Sequence, residues 1–151
     1  MPLRAIAYTS VAFEGIQASD IDRILMAASS FNKVAGVTGV LMFDGTRFLQ
    51  YFEGPEDGVD SVYQRVANAR SHLHLRELAR GVVATRYFPR WTMASAAIEP
   101  AVLTGMIEHP WDGFNVAAAF DGRGSVGFVR LLDLWTGVSG ELEPAAVMLG
   151  S

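Results

Sequence analysis

The sequence predicts an α+β fold, a ferredoxin-like sandwich with the order β-α-β-β-α-β, a fifth strand, and two helices on one sheet face. Three observations lead there. Two β-rich runs flank the turn Asp44-Gly45-Thr46, two segments carry apolar residues at helical spacing, and the predicted strands are apolar on both faces. With 151 residues, 50% of them apolar and 19% charged, the chain can bury the core of one domain.

Arg4 to Ser10 reads as the first strand, with Ile6, Tyr8 and Ser10 on one face. Ser19 then has the character of an N-cap, with Asp20 and Asp22 in the first turn. The helix it opens carries Ile21, Ile24, Leu25 and Ala28 and runs to about Phe31 or Asn32. Val34–Phe43 and Arg47–Glu53 form a hairpin, whose second strand sets Phe48, Gln50 and Phe52 on a common face. Gly54-Pro55-Glu56-Asp57 ends that strand and opens the second helix, with Val59, Val62, Tyr63 and Val66 at helical spacing. A fourth strand is expected over Leu75–Tyr87 and a fifth over Trp91–Ile98.

Leu49 and Tyr51 lie opposite the Phe48 and Phe52 face and need cover, because exposed apolar patches of that size are unusual. Short helices over Val102–Glu108 and Val126–Trp135, separated by turns at Pro110 and Asp121-Gly122-Arg123-Gly124, can supply it. The division that follows is a domain over residues 1–99 and a helical cap over 100–151, too short for a second enzymatic domain and a possible surface for a homo-oligomer or a protein partner.

Composition narrows the chemistry. No cysteine is present, which excludes disulfides, thiol nucleophiles and Cys-based metal or iron–sulfur sites, and suits a reducing cytoplasm. A formal charge of −4 and 12 scattered Lys and Arg argue against a nucleic-acid surface. The start of the chain lacks a signal-peptide layout, and no apolar run is long enough to span a membrane. His72, His74 and His109 lack the acidic neighbours of a metal site. No Ser-His-Asp set or paired carboxylates stand out for hydrolysis, and the lack of a G-x-G-x-x-G run after the first strand argues against a Rossmann nucleotide site.

Polar residues on the apolar face are the remaining signal. Gln50, between two phenylalanines, needs partners for its amide, which backbone or water at a strand end could equally provide. Tyr8 faces the same helices, and in this topology the first and third strands are neighbours, so the two side chains can touch. Asn32 reads either as a helix stop or as an amide reaching a planar heterocycle between the helices. Trp91 and Met93, two residues apart, are expected to share one face of the last strand and close the same pocket.

Together these residues resemble the BLUF family, flavin-binding domains that sense blue light. The resemblance runs from Arg4 to about Met93. It rests on Ile6-Ala7-Tyr8-Thr9-Ser10, Asn32 to Gly39, Asp44 to Pro55, and Phe88-Pro89-Arg90-Trp91-Thr92-Met93, together with the spacing of Tyr8, Asn32, Gln50, Trp91 and Met93. It implies a non-covalently bound flavin, FAD with FMN or riboflavin possible, and Tyr8 as electron and proton donor to the excited flavin. Gln50 is then the amide bridging Tyr8 to the ring, left rotated or tautomerised in a reversible, red-shifted state. The resemblance also implies that Asn32 holds the pyrimidine edge, that Ser10, Ile24, Phe48, Val66 and His72 contact the cofactor, and that Trp91 and Met93 carry the signal outward. Where the family commonly has an acid, an arginine and a histidine near the flavin tail, this chain has Ala69, Ser71 and His72. Arg65 and Arg70 are candidates to replace the charge. The competing expectation is a BLUF-like adaptor with weakened flavin binding, acting only through protein contacts.

Overall fold

A computed structural model describes residues 2–69, 72–114, 116 and 124–139. Its elements are β1 (Leu3–Ala12), α1 (Ala18–Ala35), β2 (Thr38–Phe43), β3 (Arg47–Pro55), α2 (Glu56–Ala67), β4 (His72–Val83), β5 (Ala94–Ala97), α3 (Pro100–Glu108) and α4 (Val126–Ser139). The strands form one sheet in the order β4-β1-β3-β2-β5. β5 runs parallel to β2, and the other neighbours are antiparallel.

Period-2 alternation divides the sheet's two faces as the sequence requires. Ile6, Tyr8, Phe52, Leu41 and Phe48 face α1 and α2, where they pack with Leu25 and Ala28 of α1 and Val59, Val62 and Val66 of α2. Ala5, Ala7, Val40, Met42, Leu49 and Tyr51 face the other way, onto Leu103 and Met106 of α3 and Phe128, Leu131 and Trp135 of α4. Tyr51 is the hub of this second core, with its ring 5.1 Å from Phe128, 5.4 Å from Phe114 and 5.5 Å from Phe88. Burying a side chain such as Leu49 contributes about 1.5–3 kcal/mol, so covering this face outweighs the ordering of a few cap residues. No helix among the described residues is long and apolar enough to cross a membrane.

Several boundaries differ from the sequence expectation, each for a local reason. Gln17, not Ser19, caps α1, because the Asp20 carboxylate accepts the Gln17 N–H at 2.9 Å and completes the first turn from one residue earlier. α1 continues past Asn32 to Ala35, so Val34 is a helical residue rather than the start of β2. The stop is Gly36, whose φ of 74° permits paired closing bonds from Val37 N–H to Asn32 O at 2.8 Å and from Gly36 N–H to Lys33 O at 3.3 Å. β4 covers His72–Val83, not Leu75–Tyr87, because Tyr87 and Phe88 N–H go to the Glu53 carboxylate and the Arg86 side chain to Gly36 O rather than into a β-ladder. β5 begins only at Ala94.

That late start separates two residues expected on one face. Residues 91–93 are irregular, strand alternation does not apply to them, and Trp91 packs in the cap-side core 5.1 Å from Trp135 while Met93 packs on the α1 side. Of the predicted turn at Asp121-Gly122-Arg123-Gly124, the first three residues lie outside the described ones, as does the segment from Gly140 onward.

Gly39 tests how tightly β2 and β3 approach. A Cβ there would stand 2.1 Å from Tyr51 O and 2.8 Å from Phe52 Cα, both backbone atoms that cannot step aside. Gly39→Ala is therefore expected to destabilise the fold by about 2 kcal/mol or more, read as the midpoint of urea unfolding. An unchanged midpoint would show that the strands separate freely at this point.

Candidate functional site

Between α1 and α2, above the middle of the sheet, the core divides and leaves a cavity. β1 and β3 place Tyr8 and Gln50 directly across from each other in their antiparallel register. α1 adds Ile24, Ala28 and Asn32, one turn apart; α2 adds Val62, Arg65 and Val66, followed by Ala69; Leu41, Phe48 and Met93 complete the walls. The walls are mostly aliphatic or aromatic, with polar groups concentrated at Tyr8, Gln50 and Asn32.

Tyr8 and Gln50 form a chain that ends on Met93. The Tyr8 hydroxyl donates to Gln50 Oε1. Gln50 Nε2 lies 3.6 Å from Met93 Sδ. Burial pushes the Tyr8 phenol well above its ordinary pKa, against a smaller opposing effect of the Arg65 charge, so the hydroxyl keeps its proton at every pH at which the fold is used. Tyr8 being the donor, the bond orients the amide, with its oxygen toward the phenol and its nitrogen toward the thioether. A thioether is a weak acceptor, and an NH₂ group has two hydrogens to place. Gln50 therefore presents under-used donor capacity at the cavity wall.

Asn32 is held from behind. Its Nδ2 donates to Thr92 O at 2.7 Å, and Ser29 Oγ lies 2.5 Å from Thr92 Oγ1, so α1 is fastened to the segment that delivers Met93. With the helix stop assigned to Gly36, the reading of Asn32 as a terminator falls away.

Of the residues singled out from sequence, Tyr8, Ile24, Asn32, Phe48, Gln50, Val66 and Met93 line one cavity. Ser10 does not line it; the side chain is buried and borders a separate depression with Thr9, Arg47, His74 and Arg76. Trp91 lies across the sheet in the cap-side core. His72 opens β4, but its side chain, like Arg70 and Ser71, lies outside the described residues. Ala28, Leu41 and Val62 were not singled out as site residues. The signal for two of them was the spacing of four that links Ile24 to Ala28 and Asn32, and Val62 to Val66. Arg65, one of the two candidate cations, borders the cavity with its guanidinium 5.3 Å from the centroid of the Phe31 ring.

An apolar slot with a few convergent amides and a phenol suits a flat heteroaromatic ring with polar edges. A flavin has that chemistry, and the spare Gln50 N–H and the Asn32 amide are suitable partners for it.

The BLUF family, described as sensors of blue light using FAD, matches residues 3–94. Among curated proteins, the chain is 29% identical over 86 residues to the blue light- and temperature-regulated antirepressor BluF of Escherichia coli strain K12, a match covering 57% of this chain and 21% of that protein. It is also 29% identical over 98 residues to photoactivated adenylate cyclase subunit beta of Euglena gracilis, covering 64% and 11% respectively. The chain thus spans no more than about a fifth of these relatives. Among solved structures, the dark state of the BLUF protein BlrB superposes with a TM-score of 0.68 at 22% identity, covering 89% of this chain and 97% of that one. The BLUF domain of BlrP1 gives 0.58 at 29% identity, covering 66% of each.

Proposed function

The chain belongs to the BLUF family of flavin-based blue-light sensors, and from that premise we propose that Tyr8 and Gln50 form its light switch, in a cavity that holds FAD. The observation that carries this reading is the buried Tyr8–Gln50 hydrogen bond, with the far end of the amide on a thioether at the cavity wall. Asn32 orients the ring edge; Ile24, Phe48 and Val66 pack against the ring; Met93 abuts the amide. The bound flavin supplies blue-light absorption and, when excited, an electron acceptor.

Tyr8 is suited to donate both an electron and a proton, because its phenol is neutral, buried and already bonded to Gln50 Oε1. Gln50 is the part that can rearrange. If its amide turns over, Nε2 donates to the Tyr8 oxygen, and Oε1 faces Met93 Sδ, which has no hydrogen to offer. Met93 then loses its partner, so a change of one amide is passed to the segment before β5. A tautomerised amide instead changes the Tyr8 end, where its oxygen carries a hydrogen and becomes a donor, and leaves one hydrogen rather than two on the nitrogen beside Met93. Two hydrogen-bond arrangements of a single buried pair make the two-state element that any sensor requires. No turnover is needed for this, and we assign the chain none.

The segment from Pro100 onward serves, in this reading, as a cap that makes a homo-oligomer or meets a downstream protein, with residues 1–99 as the flavin-binding domain. Its support is the second core, in which Trp91 touches Trp135 of α4.

Three tests address these assignments. Gln50→Leu should keep flavin bound yet lose the reversible red shift under blue light, and Tyr8→Phe should do the same, since each removes hydrogen-bonding capacity at little cost in volume. A light-induced shift of wild-type size in either variant rejects that residue's role. Because Ala69 stands at the cavity where the family commonly has an acid, titration calorimetry is expected to give affinities for FAD, FMN and riboflavin within about tenfold, ~1.4 kcal/mol, of one another. A larger preference for FAD would show that the tail has dedicated contacts. Ending the chain at Glu99 uncovers Leu49 and Tyr51 and should cause aggregation or a changed assembly by light scattering. A soluble product with the same assembly in dark and light removes the cap from both roles.

A further inference from the structure

Glu53 is a charged residue that the light switch does not use, yet it is among the most enclosed side chains of the protein, with no exposure to solvent. It sits on β3, on the cap side of the sheet, and both carboxyl oxygens are engaged. Oε1 accepts from Tyr51 OH at 2.6 Å and from Tyr87 N–H at 2.9 Å; Oε2 accepts from Phe88 N–H at 2.6 Å and from Thr38 Oγ1 at 3.5 Å. Beside it, Arg86 donates to Thr38 Oγ1 at 2.9 Å, to Glu53 O at 3.4 Å and to Gly36 O at 2.7 Å.

These contacts all grip one stretch, the irregular connection from β4 to β5, residues 84–93. Its residues lie outside the β-ladder, so their peptide groups need partners of another kind. Glu53 takes two successive N–H groups, Arg86 ties the stretch to the end of α1, and Gly39 N–H holds Trp91 O at 2.8 Å. Between these anchors stand only Pro89, with its fixed φ, and Arg90. A stretch gripped so closely on both sides of a proline has little slack. Its far end is Thr92, latched to Asn32, and Met93, seated on Gln50.

We propose that Glu53 is a positioning residue for the light switch: through Arg86–Phe88 it sets where Met93 meets Gln50, and so sets how long the light-induced state persists. This rests on the assignment of Tyr8 and Gln50 above. A carboxylate is required because four donors converge on two oxygens; an amide replaces one of those acceptors with an NH₂ that confronts a donor. Loosening the grip lets Met93 move relative to Gln50, which lowers the barrier to the amide's return.

The test compares wild type, Glu53→Gln and Tyr51→Phe as full chains, by melting temperature, by the carbon-13 methyl resonance of Met93 with and without flavin, and by the rate of dark return after blue light. Glu53→Gln is expected to shift the Met93 resonance in both forms and to speed return by about tenfold or more. Tyr51→Phe, which removes one donor and keeps the carboxyl, is expected to move both readouts the same way by less. A lowered melting temperature with resonance and return rate unchanged makes Glu53 merely structural and overturns the proposal. Should Glu53→Gln fail to fold, Tyr51→Phe decides on the same criteria. If wild type shows no light response, the switch assignment fails by itself, and the Met93 resonance alone decides whether Glu53 positions that side chain.

Discussion

The register of β1 against β3 is the constraint on which the rest depends. It sets Tyr8 opposite Gln50 and, by alternation, sends Ala5, Ala7, Leu49 and Tyr51 to the other face. A slip of one residue would put Tyr8 and Gln50 on opposite faces and dismantle both cores together. Because both faces are buried, the register is enforced twice. A hydrogen bond between two central strands is therefore held by far more burial energy than the bond itself contributes.

The two faces use that rigidity differently. The cap side is closed by interlocking aromatic rings around Tyr51, with small residues Ala5 and Ala7 beneath them. The opposite side is divided into two smaller cores, one under each helix, with the cavity between. Such a division forgoes apolar contacts and places the polar pair Tyr8 and Gln50 at the boundary of the two cores. The 84–93 connection touches both sides, with Trp91 in the aromatic core and Met93 at the cavity. Contact of this kind makes coupling physically available.

Electrostatics at the cavity is sparse. Burial keeps Tyr8 protonated, so the chemistry assigned to it starts from a neutral phenol rather than a phenolate. Arg65 borders the cavity over an aromatic ring and, among the described residues, makes no ion pair. Ala69 borders the same cavity.

The order of elements, the Asp44-Gly45-Thr46 hairpin, the pairing of Tyr8 with Gln50 and the need for a cap over Leu49 and Tyr51 were all legible in the chain, because each follows from local turn chemistry or a period of two or 3.6 residues. The motif spacing likewise identified the family before any fold was drawn. What could not be read was whatever depends on residues far apart in sequence meeting in space. Trp91 and Met93 part company because Gly39 N–H, Thr92 and β5 impose an irregular path on them, where periodicity has no meaning. β4 ends early because Glu53 and Arg86 capture the next residues, and Ser10 turns out to border a separate depression. In the chain, Glu53 is a charged residue near a strand end. Only the tertiary structure decides that it is buried, since a carboxylate is tolerated in a core when donors from elsewhere in the chain converge on it, and sequence does not record that convergence.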